Sequence, residues 1–175
     1  MKIRLATIAD APSIAIVHVD TWRSAYRGII PDAYLDNLSY ERRTNFWHQA
    51  IAHPANATFV YVAEDATGRI VGFASGGPPQ SEQPDYQGEL WAIYVLQEHQ
   101  GQGIGRQLVK AIARELISRG MSSMLLWVLK DNEPSRRFYE SLGGRFIKEQ
   151  QFELGGATLT EVGYGWPDIT VLLHK

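Results

Sequence analysis

Ten consecutive residues, Gln97-Glu98-His99-Gln100-Gly101-Gln102-Gly103-Ile104-Gly105-Arg106, carry glycine at three alternate positions between a strand-like segment and a helix-like one. Upstream, residues 89–95 are largely apolar and bounded by polar sequence, as expected of a strand. Downstream, Leu108, Val109, Ile112, Ala113, Leu116 and Ile117 recur at helical spacing and stop at Gly120. The order is therefore strand, glycine loop, helix. Glycines let the backbone approach an anion closely, and the positive end of the following helix favours negative charge there. A pyrophosphate can be held in such a loop without lysines.

Two common glycine signatures fail on spacing. The dinucleotide pattern G-x-G-x-x-G needs a third glycine where Arg106 stands after Gly101 and Gly103. The nucleotide pattern G-x-x-x-x-G-K-[ST] needs a Lys-Ser or Lys-Thr pair that does not follow. A plain glycine-rich turn remains the alternative on spacing alone.

Other segments read as follows. Residues 3–6 form a short opening strand, and Thr7 with Asp10 suits a helix start before the stripe Ala11, Ile14, Ala15, His18, Trp22 and Tyr26. Gly28 and Pro31 break that pattern, and a second helical stretch is expected over 31–52. Residues 59–63 and 70–74 flank Asp65-Ala66-Thr67-Gly68 as a hairpin, followed by a loop over 76–88. Residues 124–129 predict a strand and 133–142 a short helix closed by Gly143-Gly144. Residues 145–152 and 157–166 predict a second hairpin about Gly155-Gly156.

Composition narrows the chemistry. A chain of 175 residues that is 45% hydrophobic can fill one core, so a single domain over 1–175 is expected. The absence of cysteine excludes disulfides, thiolate zinc sites and a cysteine nucleophile, and agrees with a reducing, cytoplasmic compartment. A net charge of −2 and a pI near 6.2 provide no basic field for nucleic acid. With neither a long apolar run nor a leader-like N-terminus, no membrane partner is expected. Five histidines (His18, His48, His53, His99, His174) show no paired spacing, so no metal is expected. Ser75 lacks the first glycine of G-x-S-x-G, because Phe73 occupies it, and reads as a turn residue.

The loop resembles the coenzyme A signature [QR]-x-x-G-x-[GA] of the GNAT superfamily of N-acetyltransferases, met by Gln100, Gly103 and Gly105. Its context is similar too. Leu90-Trp91-Ala92-Ile93-Tyr94-Val95 looks like the family's fourth strand, and Asn132 through Tyr139 to Gly143 looks like its N-x(5)-[FY]-Y-x-x-x-G helix. Gln97 departs from the proline that many relatives carry before the loop. The resemblance spans residues 3–165 and is strongest over 89–144. It implies a mixed α/β, α+β-like fold. A largely antiparallel twisted sheet of about six to seven strands would splay between strands 4 and 5, flanked by about four helices.

It also implies roles. Acetyl-CoA would lie in the splay, with Ile93 and Val95 pairing the pantetheine and a backbone N–H of Ile93 or Tyr94 meeting the acetyl oxygen. Gln100, Gly101, Gln102, Gly103, Ile104, Gly105 and Arg106 would hold the pyrophosphate, and Asn132 would contact the cofactor. Glu89 would take the proton of the attacking amine and Tyr139 would protonate the departing thiolate. Their other readings are a solvent-facing strand-end acid and a core aromatic. Trp22, Tyr26 and Tyr34, with Glu89, would shape the acceptor pocket, or the three aromatics would simply pack helices together. The implied reaction is direct transfer of acetyl from acetyl-CoA to a primary amine of a small molecule or peptide. The alternative is a non-catalytic acyl-CoA-binding module. A homodimer through the C-terminal hairpin and tail is a further expectation from the resemblance.

Overall fold

A computed structural model of the chain describes residues 1–53 and 57–174. In order, the elements are β1 (Lys2–Leu5), α1 (Ala11–Ala25), α2 (Asp32–Asp36), α3 (Tyr40–Ala52), β2 (Phe59–Glu64), β3 (Ile70–Gly77) and β4 (Gly88–Val95). There follow α4 (Ile104–Ser118), β5 (Met124–Leu129), α5 (Glu133–Ser141), β6 (Arg145–Leu154) and β7 (Ala157–Trp166). Short 3₁₀ turns cover Ile8–Asp10, Gln97–His99 and Ile169–His174. The seven strands form one sheet in the order β1-β2-β3-β4-β5-β7-β6, and every neighbouring pair is antiparallel except β4 and β5.

Alternation along β3 sorts the helices onto two faces. Phe73 points toward α1 and α3, where its ring lies 4.9 Å from Trp47 and 6.0 Å from His18. Its neighbour Gly72 points the other way, where a Cβ would stand 3.5 Å from Leu108 of α4, and Gly76 likewise faces Ile112 at 3.3 Å. The apolar stripe of α4 is thus spent against the sheet, with Leu108, Ile112 and Leu116 fully buried. Arg4 ties the first elements together. It donates to both Asp10 oxygens at 2.7 and 2.9 Å and to Glu64 at 2.7 Å. The Arg4 guanidinium, with the Thr7 N–H at 2.7 Å, holds the Asp10 carboxyl down at about 2.

The single helix expected over 31–52 is two. Ser39 adopts extended backbone and its hydroxyl accepts the Arg42 N–H at 3.2 Å, so α3 starts afresh there after the one-turn α2. Among the described residues, four longer α-helices and the one-turn α2 accompany the sheet.

Two irregularities in β4 create the site. Pairing to β5 holds only at Gly88–Met124 and Glu89–Leu125, after which the strands part and β5 continues along β7. On its other edge β4 pairs Ala92 with Ser75 but Leu90 with Gly76, so Trp91 is an extra residue, a β-bulge. Tyr94 opposes Phe73 and Glu89 opposes Gly77, two β3 residues four apart on one face. Glu89 and Tyr94 are an odd five residues apart, and the bulge brings them to the same face.

Candidate active site

The splay opens into a cleft of about 680 Å³ walled by β4, β5, the glycine loop, α1, α5 and the β6–β7 hairpin. Its floor is the part of β4 from Leu90 to Val95, whose edge toward β5 is free of strand pairing. That edge offers backbone N–H and C=O groups to any extended ligand laid beside it. The Val95 carbonyl is already taken, accepting the Gln100 side-chain amide at 2.9 Å. Gln100 therefore ties the loop back to the strand that precedes it.

The three loop glycines have different physical reasons. Gly101 and Gly103 stand at φ +73° and +80°, where a side chain is strained, and a Cβ on either would meet nothing within 4 Å. Gly105 has an ordinary helical backbone, but a Cβ there would lie 3.2 Å from the Phe138 ring, so it permits α4 and α5 to approach. The first intrahelical bond of α4 runs from the Gln107 N–H to the Gly103 carbonyl at 3.1 Å. The N–H groups of Ile104, Gly105 and Arg106 thus precede the helical ladder and carry its positive end. Gly101, Gly103, Ile104, Gly105 and Arg106 all line the cleft.

Glu89 is not a strand-end acid in solvent. It is 5% exposed, lines the cleft, and accepts the Gln80 N–H at 2.7 Å. Burial pushes its carboxyl above the ordinary carboxylate range; the Gln80 N–H pulls the other way, and the nearby Glu161 charge adds to the rise. Tyr139 lies on α5, whose start is capped by buried Asn132 accepting the Ser135 N–H at 3.3 Å. Burial, and then Tyr94, push the Tyr139 phenol well above its usual value, so it remains protonated. Burial and the neighbouring Tyr94 raise Tyr26 likewise.

On the opposite wall, Trp22 and Tyr26 line the cleft with their rings 5.2 Å apart, edge to face. Both also pack against a second apolar cluster built on Val19, Ile30, Leu35, Leu38 and Leu129. Lining and packing are therefore not exclusive for these two. Tyr34 belongs to that cluster and stands 6.4 Å from Trp22, but it does not line the cleft; neither does Gln102, whose amide turns back to the Glu98 carbonyl at 3.4 Å. The other residues expected at the site, Ile93, Tyr94, Val95, Gln100 and Asn132 among them, do line it.

Several lining residues have no counterpart in the sequence reading. Trp127 from β5, Phe152 and Leu154 from β6, and Glu161 from β7 complete the wall. Glu161 accepts the Gln150 side-chain amide at 2.7 Å across the hairpin. The alternation of these strands gave a weak signal, but nothing local told which face would meet the splay. Among the described residues, no group of His, Cys, Asp or Glu is arranged to hold a metal ion.

Comparison with known proteins agrees with this geometry. The sequence pattern of the Acetyltransferase (GNAT) family matches residues 19–144. An uncharacterized N-acetyltransferase of Bacillus subtilis, YuaI, is 44% identical over 98% of this chain and 96% of its own. A ribosomal-protein-alanine N-acetyltransferase from Brucella melitensis has a similar fold, with a TM-score of 0.73 at 23% identity, covering 95% of this chain and 99% of that one. So does yncA from Salmonella typhimurium, solved with its cofactor acetyl-CoA, at a TM-score of 0.71 and 24% identity over 95% of this chain and 92% of that one. With the family pattern spanning most of its length and the splayed sheet and glycine loop in place, the chain belongs to the GNAT acetyltransferase family.

Proposed function

We propose that this protein transfers the acetyl group of acetyl-CoA to a primary amine of a small molecule or peptide by direct attack within one ternary complex. The observation that carries the proposal is the cleft itself. Among the described residues, a strand edge without strand pairing leads at one end to a glycine loop that precedes the first hydrogen bond of α4, and a buried acid and a buried phenol line the same cleft. The absence of any cysteine supports direct transfer over an acyl-thioenzyme.

In this reading, Gly101 to Arg106 hold the pyrophosphate by main-chain N–H groups, and Ile93 and the Val95 N–H pair the pantetheine. The acetyl oxygen meets a backbone N–H of Ile93 or Tyr94. A protonated alkyl amine, with an ordinary pKa of about 10.4, must lose a proton before it attacks. Glu89 accepts that proton, directly or through water. Its raised pKa makes it a stronger base than a surface carboxylate. As the tetrahedral intermediate collapses and the C–S bond breaks, Tyr139 donates its phenolic proton to the sulfur. Trp22 and Tyr26 hold the acceptor. One sheet runs through all the described strands, which supports a single domain over 1–175.

Because the protein has no thiol of its own, a thiol-reactive dye reports released CoA without protein background. A panel of amines with saturating acetyl-CoA should show amine-dependent CoA release. Acetyl-CoA binding with no release for any amine, peptide N-terminus or lysine side chain would favour the non-catalytic alternative instead.

A further inference from the structure

Among the described residues the cleft carries few charges, and its cations are confined to the glycine loop. Its ionisable lining residues, tyrosines aside, are Glu89, Glu161, His99 and Arg106. The two bases belong to the glycine loop and the first turn of α4, beyond the C-terminal end of β4. Glu89, the second residue of β4, lies at the strand's other end, and Glu161, opposite Leu129 on β7, is near enough for its charge to raise the Glu89 carboxyl. Trp22, Tyr26, Trp127 and Phe152 line the same cleft. Arg43 and Lys148 lie 5.7 Å from the ring centroids of Trp22 and Trp127, but neither lines the cleft.

Resting on the proposed reading of this cleft, we infer that the acceptor is a small primary amine with an apolar or aromatic body and no carboxylate. Aromatic faces and two acids attract an ammonium and bury a hydrocarbon body. A carboxylate on the carbon next to the amine would be brought, by the same attack geometry, up to Glu89 and Glu161. Among the described residues, the only lining cations that could receive it, His99 and Arg106, belong to the glycine loop and the first turn of α4. Like charges juxtaposed in a partly dry site are strongly disfavoured. Free amino acids are thus excluded by repulsion, while the amines that their decarboxylation would produce are accepted.

The test compares matched pairs that differ by the carboxylate alone: phenethylamine with phenylalanine, and tyramine with tyrosine. CoA release is measured on the intact protein at saturating acetyl-CoA, with calorimetric titration of acetyl-CoA in parallel. The amine of each pair should have a kcat/KM about 100-fold above its amino acid, the order set by like-charge repulsion. Glu161→Gln should raise KM for the amine several-fold and narrow that ratio to about tenfold, while binding acetyl-CoA as wild type does. Equal kcat/KM within the pairs, or preference for the amino acid, overturns the inference. So does saturable acetyl-CoA binding with no turnover of either amine, which leaves the proposed function standing. Failure of wild type to bind acetyl-CoA overturns both.

Discussion

His18 should make the protein sensitive to mild acid. The side chain is 5% exposed, ringed by Trp22, Trp47, Phe73 and Tyr94, and its Nδ1 accepts the Trp47 indole N–H at 3.1 Å. Burial, and then the Arg43 charge, depress its pKa from 6.5 to about 3. The unfolded chain therefore takes up a proton at His18 below pH 6.5 that the folded chain refuses, and stability falls as pH drops through this window. At about 1.36 kcal/mol per pH unit, the loss between pH 7.5 and 5.0 is about 2 kcal/mol. Any folded pKa below about 4 gives the same figure. His18→Phe removes this proton but strands the Trp47 N–H, at a pH-independent cost of about 1–3 kcal/mol. Urea unfolding followed by tryptophan fluorescence should show the variant weaker at pH 7.5, with the gap to wild type changing in its favour by about 2 kcal/mol at pH 5.0. Asp10 and Glu89 titrate alike in both proteins and cancel in the difference. A gap identical at the two pH values would refute the reasoning.

Other outcomes follow from the site. Tyr139→Phe should lower kcat by about 100-fold while acetyl-CoA affinity, read by calorimetry, stays within about threefold. Glu89→Gln should lower kcat/KM by about 10–100-fold. Wild-type kcat/KM should fall as pH drops through the raised Glu89 pKa, because the base must be ionised, and the pH–rate profile of the variant should lack that acidic limb. Ser39→Ala removes the acceptor that caps α3 and should cost about 1 kcal/mol in urea unfolding.

What could be read from the sequence was local in the chain. The strand, glycine loop and helix over 89–118 lie next to one another, so spacing alone identifies them, and the α5 motif with Asn132 and Tyr139 follows within a few dozen residues. The bulge at Trp91 was not legible, because 89–95 reads as an unbroken strand and the extra residue shows only in its pairing with β3. Yet the bulge is what turns Glu89 toward the face of Tyr94. The far wall was hidden for a different reason. Trp127, Phe152 and Glu161 reach the cleft through the crossing of β5, β7 and β6, and no periodicity tells which edge of a sheet such a hairpin joins. The break at residues 37–39 was missed because no Gly or Pro stands between 32 and 52, and only the Ser39 cap marks the new start.

Calorimetric titration of acetyl-CoA into wild type and into Gly103→Trp tests the central claim most directly. A Cβ at Gly103 meets nothing within 4 Å, and its φ of +80° strains a side chain by about 1–2 kcal/mol, so the variant should fold. Its indole would stand at the loop that is to hold the pyrophosphate. The account predicts saturable one-to-one binding to wild type and loss of at least about 100-fold in the folded variant. Equal binding by the two proteins, or none by wild type, would contradict it.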